Sequence, residues 1–210
     1  MQAWVEAGEM PPPPMSEKAD GRVSPKWPHA HQAKVAYVDL EFLHFTIDPC
    51  LVTEVGVWRA EESAPVTWKV RPPPSYLEHI ERTDYKKWHA IEKAAEVNGF
   101  SIDEWKGAPH WHDVRVPIAK AIFGRFLVGL NIWAADIRRL ASMFHPWDEG
   151  WIRPHSSVDL LAVATMKGHK AKSLEALCEA YGIEQEGVHT AESGVRTVRA
   201  VAEAMLGVGR

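Results

Sequence analysis

The sequence predicts an α/β domain, a central mixed sheet flanked by helices. Three observations predict it. Three strand-like segments follow one another between residues 34 and 71. A short, continuous apolar run, Phe126-Leu127-Val128-Gly129-Leu130, has the composition of a buried central strand. From residue 76 onward most of the chain carries apolar residues at helical spacing. Strands first, then helices interleaved with buried strands, is the order that a sheet covered by helices satisfies.

Residues 1–32 read as a tail: four consecutive prolines, Pro11 to Pro14, scattered charges and no apolar periodicity predict extended or disordered chain. The domain therefore runs over 33–210. Its first strand is 34–42, β-branched and aromatic. The second covers 51–60 and the third 65–71, closed by Pro72, Pro73 and Pro74; short connections make the three an antiparallel meander. The helical pattern that begins at Tyr76 stops at Asn98-Gly99. A helix over 111–123 contains Pro117, and another covers 134–144 after the apolar run. Residues 158–164 suit a short strand or a helical turn. Ser173 suits the N-cap of a helix ending at Tyr181 before Gly182. The last helix covers 190–206.

Composition narrows the function classes. The chain has 210 residues, 46% hydrophobic and 25% charged, as in a globular protein with a substantial core. Its net charge of −4 is not the basic footprint of a general nucleic-acid binder. A protein that binds nucleic acid through carboxylate-held metal would nevertheless be mildly acidic. Cys50 and Cys178 cannot build a disulfide framework or a four-thiolate zinc site, which points to a reducing, cytoplasmic location. No apolar run reaches the length of a membrane span, and no signal peptide is indicated.

Chemistry gathers at three places. Asp39 and Glu41 lie two apart on a strand and so share one face. Two carboxylates among apolar neighbours are costly to bury unless a cation lies between them, and hard oxygen ligands suit magnesium or manganese. Asp136 lies in the first turns of the helix after the buried run, where the positive end of the helix dipole tolerates it. The third place is His189-Thr190-Ala191, at the start of the last helix.

These pieces, in this order, resemble the DEDDh-type 3′→5′ exonucleases, the DnaQ-like proofreading superfamily. Asp39-x-Glu41 on the first strand, Gly129-x-Asn131 followed by Asp136, the segment Leu174-Glu175-Ala176-Leu177, and His189-x-Ala191 carry the resemblance over about 33–206. Val52-Thr53-Glu54-Val55-Gly56-Val57 matches the second strand of that superfamily, and Val158-Asp159-Leu160-Leu161 a later segment. The resemblance implies a ribonuclease H-like fold with a mixed five-stranded sheet. It also implies a pair of magnesium or manganese ions on Asp39, Glu41 and Asp136, with His189 as general base on the attacking water. Asn131 and the backbone at Phe42 and Leu43 would bind substrate. The substrate would be a single-stranded DNA or RNA 3′ end, the product a 5′-mononucleotide, and a polymerase or other protein a further partner.

One departure bears on activity. The superfamily pattern is His-x-Ala-x-x-Asp, and its last position here is Gly194, so one expected metal carboxylate is missing. Glu192, two positions earlier, faces roughly the opposite side of the helix at ~100° per residue. Asp159, from the preceding apolar segment, is a carboxylate that could approach in its place, which the sequence alone does not establish. Glycine also weakens a helix by about 1 kcal/mol relative to alanine, which predicts an irregular start to the last helix. Two readings follow: an exonuclease of reduced activity, or a catalytically inactive exonuclease fold that binds nucleic-acid ends or a protein. Lys167 to Lys172 form a basic segment suited to phosphates, and Trp133 could stack on a base.

Overall fold

The computed structural model describes residues 15–17, 23–25, 34–144, 157–185 and 189–206. Most of the expected tail, and Gly187 and Val188 of the third motif, lie outside the described residues. Within the tail, β1 (Met15–Glu17) and β2 (Val23–Pro25) pair antiparallel with each other.

The domain sheet contains β3 (Lys34–Phe42), β4 (Val52–Arg59), β5 (Val66–Lys69), β6 (Arg125–Gly129) and β7 (Ser157–Asp159), in the order β5-β4-β3-β6-β7. The first three form the expected antiparallel meander, while β6 and β7 add parallel to β3. The helices are α1 (Pro74–Thr83), α2 (Tyr85–Asn98), α3 (Trp111–Ile122), α4 (Asp136–Met143), α5 (Leu160–Met166), α6 (Leu174–Tyr181) and α7 (Ala191–Leu206). No helix among the described residues is long and apolar enough to cross a membrane.

Strand alternation sorts the chain into two cores. Ala36, Val38 and Leu40 are buried on one face of β3 with Ile118 and Ile122 of α3 and Leu140 and Met143 of α4. Tyr37 turns to the other face, where Val195, Val198 and Met205 of α7 and Leu177 of α6 pack. Asp39 and Glu41, two and four residues beyond Tyr37, share that second face. Helix α7 lies against β3 and β4 and so forms the roof over both carboxylates.

Three expectations are refined. The helical stretch from 74 to 98 is two helices: Asp84 leaves helical geometry and its side chain accepts from the Lys87 N–H, ending α1 and capping α2. Residues 157–166 are both a strand and a helix, because Asp159 caps α5 by accepting from Leu161 N–H. The start of α7 is regular. Thr190 Oγ1 accepts from the Ser193 N–H at 3.2 Å, and the Gly194 N–H reaches the Thr190 carbonyl at 2.9 Å. These caps and the contact described next offset the weak helix propensity of Gly194.

Candidate active site

The site is built where β3 ends under the first turn of α7. In register, Asp39 lies opposite Gly56 of β4 and Glu41 opposite Glu54. All four therefore face α7. Glu54 is buried, and its Oε2 accepts a 2.7 Å hydrogen bond from the N–H of Ala191, the first residue of α7. Gly56 lets the helix come this close: a Cβ there would stand 2.3 Å from the Ala191 carbonyl oxygen. Strand β4 thus grips α7 two residues after His189.

The helix returns the accommodation. A Cβ on Gly194 would lie 2.0 Å from Asp39 Oδ2 and 2.6 Å from Asp39 Cγ. The Asp39 carboxylate therefore occupies the side-chain space of residue 194. The position expected to bring a metal-binding carboxylate instead gives its volume to another one.

Asp136 comes from the opposite side of the sheet, as the first residue of α4, and is 4% exposed. It is near enough to Asp39 for the two charges to interact. Burial, then Asp39, push its pKa well above the usual carboxylate range, against the opposing charge of Arg139. Burial and Glu54 raise Asp39 to about 7. Burial, Asp39 and Glu54 raise Glu41 to about 8. The common cause is like charges sharing a dehydrated space. A hard divalent cation supplies the charge this set lacks, and the all-oxygen donors suit one. Among the described residues, however, no three His, Cys, Asp or Glu side chains are already grouped as a metal cage.

Asp39, Glu41, Asn131, Lys172, His189 and Gly194 border a single cleft of about 420 Å³. His189 is exposed there. Beside it, the Glu175 carboxyl is held below its usual range, chiefly by a hydrogen bond with Ser173 and also by the charge of His189. Asn131 has φ of 50°, a left-handed conformation that asparagine tolerates. Its N–H is held by Asp159 Oδ1 at 3.0 Å. That oxygen also accepts from Leu161, so Asp159 serves the turn and the α5 cap rather than replacing the missing carboxylate. Glu192 is exposed and pairs with Arg196 at 2.8 Å, away from the cluster as its helical position requires.

At Phe42 and Leu43 the main chain is largely engaged. The Phe42 carbonyl accepts from Asn98 Nδ2 at 3.1 Å, and the Leu43 N–H donates to the Leu51 carbonyl at 2.8 Å. What these residues offer instead is a second, apolar pocket of about 430 Å³ beside Glu41, lined by Phe42, Phe45 and Val97 among others. Phe45 is 86% exposed. Arg139 braces this corner. It is 2% exposed, its guanidinium carbon sits 3.5 Å from the Phe42 ring centre, and its Nη atoms donate to the Ala135 and His44 carbonyls. Of the basic segment, Lys172 borders the cleft, whereas Lys167 Nζ is tied to the Met205 carbonyl at 2.6 Å. Trp133 is 45% exposed, with its indole N–H on Ser157 Oγ.

Glu54 and Arg139 were not singled out from the sequence. Both had a signal: Glu54 and Gly56 alternate in phase along one strand, and Arg139 lies one turn beyond Asp136. Strand pairing and helix docking were needed to read either signal.

The mixed five-stranded sheet, flanked by helices and carrying Asp39 and Glu41 on its central strand, is the ribonuclease H-like exonuclease fold expected from the sequence. Structures of exonuclease I are among its structural neighbours. The product-bound structure has a TM-score of 0.64 at 16% identity, over 84% of this chain and 44% of that one. The E. coli enzyme with a dA16 oligonucleotide has a TM-score of 0.63 at 15% identity, over 85% and 42%. The zinc-ion-bound E. coli ExoI–ssDNA complex has a TM-score of 0.61 at 16% identity, over 85% and 41%. At such identity the likeness is one of fold, and the chain spans less than half the length of these proteins. No protein-family model matches the sequence, and no curated protein matches it either.

Proposed function

We propose that the domain is a divalent-metal-dependent 3′→5′ exonuclease that releases 5′-mononucleotides from single-stranded ends. One observation carries this reading: Asp39 and Glu41 border the cleft that His189 borders, and the buried Asp136 carboxylate lies near enough behind Asp39 for the two charges to repel. Such crowding is costly without a cation and useful with one. Asp39, Glu41 and Asp136 would hold the ion, for which magnesium and manganese are the suited choices. When bound, it supplies acidification of a water and neutralisation of charge on the phosphate. His189, open to the cleft, takes the proton from the attacking water; an imidazole is suited to this near neutral pH. Lys172, on the cleft wall, offsets phosphate charge. The pocket of Phe42, Phe45 and Val97 takes the terminal base by apolar contact and stacking. The oligonucleotide complexes of exonuclease I make single-stranded DNA the first substrate to try.

A second reading, a fold that binds 3′ ends without cutting them, is favoured by Gly194 alone. One assay separates the two. A 5′-labelled single strand is incubated with magnesium or manganese beside an Asp39→Ala control. The expected result is a ladder shortened from the 3′ end, reduced to background in the control. Retained binding without products from the unaltered protein selects the second reading. Equal cutting by Asp39→Ala removes the site assignment altogether.

A further inference from the structure

We infer that this site holds one divalent cation rather than a pair, because Gly194 gives its side-chain space to the Asp39 carboxylate. The inference rests on the reading of the cleft as a metal-dependent nuclease site and concerns how that site is loaded. Two independent features carry it. The first is steric: Asp39 Oδ2 stands 2.0 Å from where a Cβ on residue 194 would be, so no side chain fits there unless the carboxylate moves. Helix α7 thus contributes a hollow for an existing ligand and no ligand of its own. The second is charge. Arg139 is 2% exposed, one helical turn beyond Asp136, and its positive charge acts on that carboxylate. The site has lost one negative side chain and holds a buried cation in its wall.

Two divalent ions call for more ligand side chains than Asp39, Glu41 and Asp136 supply when α7 contributes none. A single hard ion does not: magnesium typically binds through one or two carboxylates, with water and substrate phosphate completing its shell. Glu54 adds its charge to the cluster but not a free ligand face, because its Oε2 accepts from the Ala191 N–H. Asp159 does not make up the deficit either, with Oδ1 shared between two backbone N–H groups. Seated in the hollow, Asp39 is oriented by α7 as an outer-shell group orients a ligand.

The test is a manganese titration of the full chain, followed by the spectroscopic signal of free Mn²⁺, with and without thymidine 5′-monophosphate. The nucleotide brings its own phosphate oxygens. The expected stoichiometry is one ion per chain in both conditions, lost in Asp39→Asn. Gly194→Ala is expected to weaken binding by about tenfold or more, the scale on which losing the orientation of a ligand acts. Alanine is the better helix former, so an unchanged thermal melt assigns the loss to the displaced Asp39. Two ions per chain in the unaltered protein would overturn the inference and leave the nuclease reading standing. Undiminished binding by Gly194→Ala would overturn the role given to the hollow. No Mn²⁺ binding at all would remove the metal-dependent reading itself, and this inference with it.

Discussion

Helix α4 meets the carboxylates of β3 with an acid and a counter-charge, whereas α7 meets them with a glycine. On the α4 side, Asp136 is buried and Arg139 lies a turn away, so repulsion is answered by a fixed positive group. On the α7 side Asp39 meets a like charge, that of Glu54. Repulsion is instead tolerated at close quarters, with Gly56 and Gly194 letting strand and helix approach and Glu54 fastening the helix start. The difference teaches that one cluster can be held by charge on one flank and by shape on the other. Glycine at 194 has not loosened the second flank: the Asp39 carboxylate fills its side-chain space and the helix start is regular.

The comparison can be broken most forcefully at Gly56. An added methyl there meets a backbone carbonyl, which cannot rotate away. Gly56→Ala should destabilise the domain by about 3 kcal/mol, at the upper end of overpacking costs. In thermal melting this is roughly 6–12 °C for a chain of this size. An unchanged melting temperature would mean that α7 does not sit on β4 as described. Glu54→Ala should cost less, ~2 kcal/mol, because a buried N–H loses its acceptor, partly offset by relief of repulsion on Asp39 and Glu41. Glu54→Gln keeps an acceptor and should recover most of the loss. If glutamine melts no higher than alanine, the hydrogen bond to Ala191 is not what holds the helix start.

The mildest perturbation is pH. In the folded, metal-free protein, burial and the neighbouring carboxylates push Asp39 and Glu41 up to about 7 and about 8, from ordinary values of 3.8 and 4.5. Their folded pKa values are raised, so the folded state binds more protons than the unfolded state between these limits. The contribution of these groups to stability is therefore largest below the ordinary values and is lost as pH rises to about 8. In chelator-treated protein, Asp39→Asn should flatten the decline in melting temperature between pH 5 and pH 8. A variant whose melting temperature falls as steeply as that of the unaltered protein would show that the cluster is not crowded.

Much of this was legible in the chain. The alternation of Tyr37, Asp39 and Glu41 placed two carboxylates on one face. Ser173 and Gly182 marked both ends of α6, and the apolar run before Asn131 marked the parallel strand β6. The local signals at Asp84 and Asp159 were weaker, because a single capping side chain ends or starts a helix without altering the apolar period around it. The missing carboxylate at 194 was readable as an absence, and the helical rotation of Glu192 away from the site as a consequence.

By itself, the sequence determined the element order, the shared face of Asp39 and Glu41, and the place of Asp136 and His189 at helix starts, since these follow from short-range periodicity and caps. Only the tertiary structure decided that Glu54 and Gly56 lie under the same helix as Asp39, that Arg139 is buried beside Phe42, and that Asp39 fills the space left at Gly194. The reason is physical: these contacts join residues 97 to 155 positions apart or across a strand pair. Which of them meet is set by register and by how closely two backbones can approach, and no local spacing encodes either.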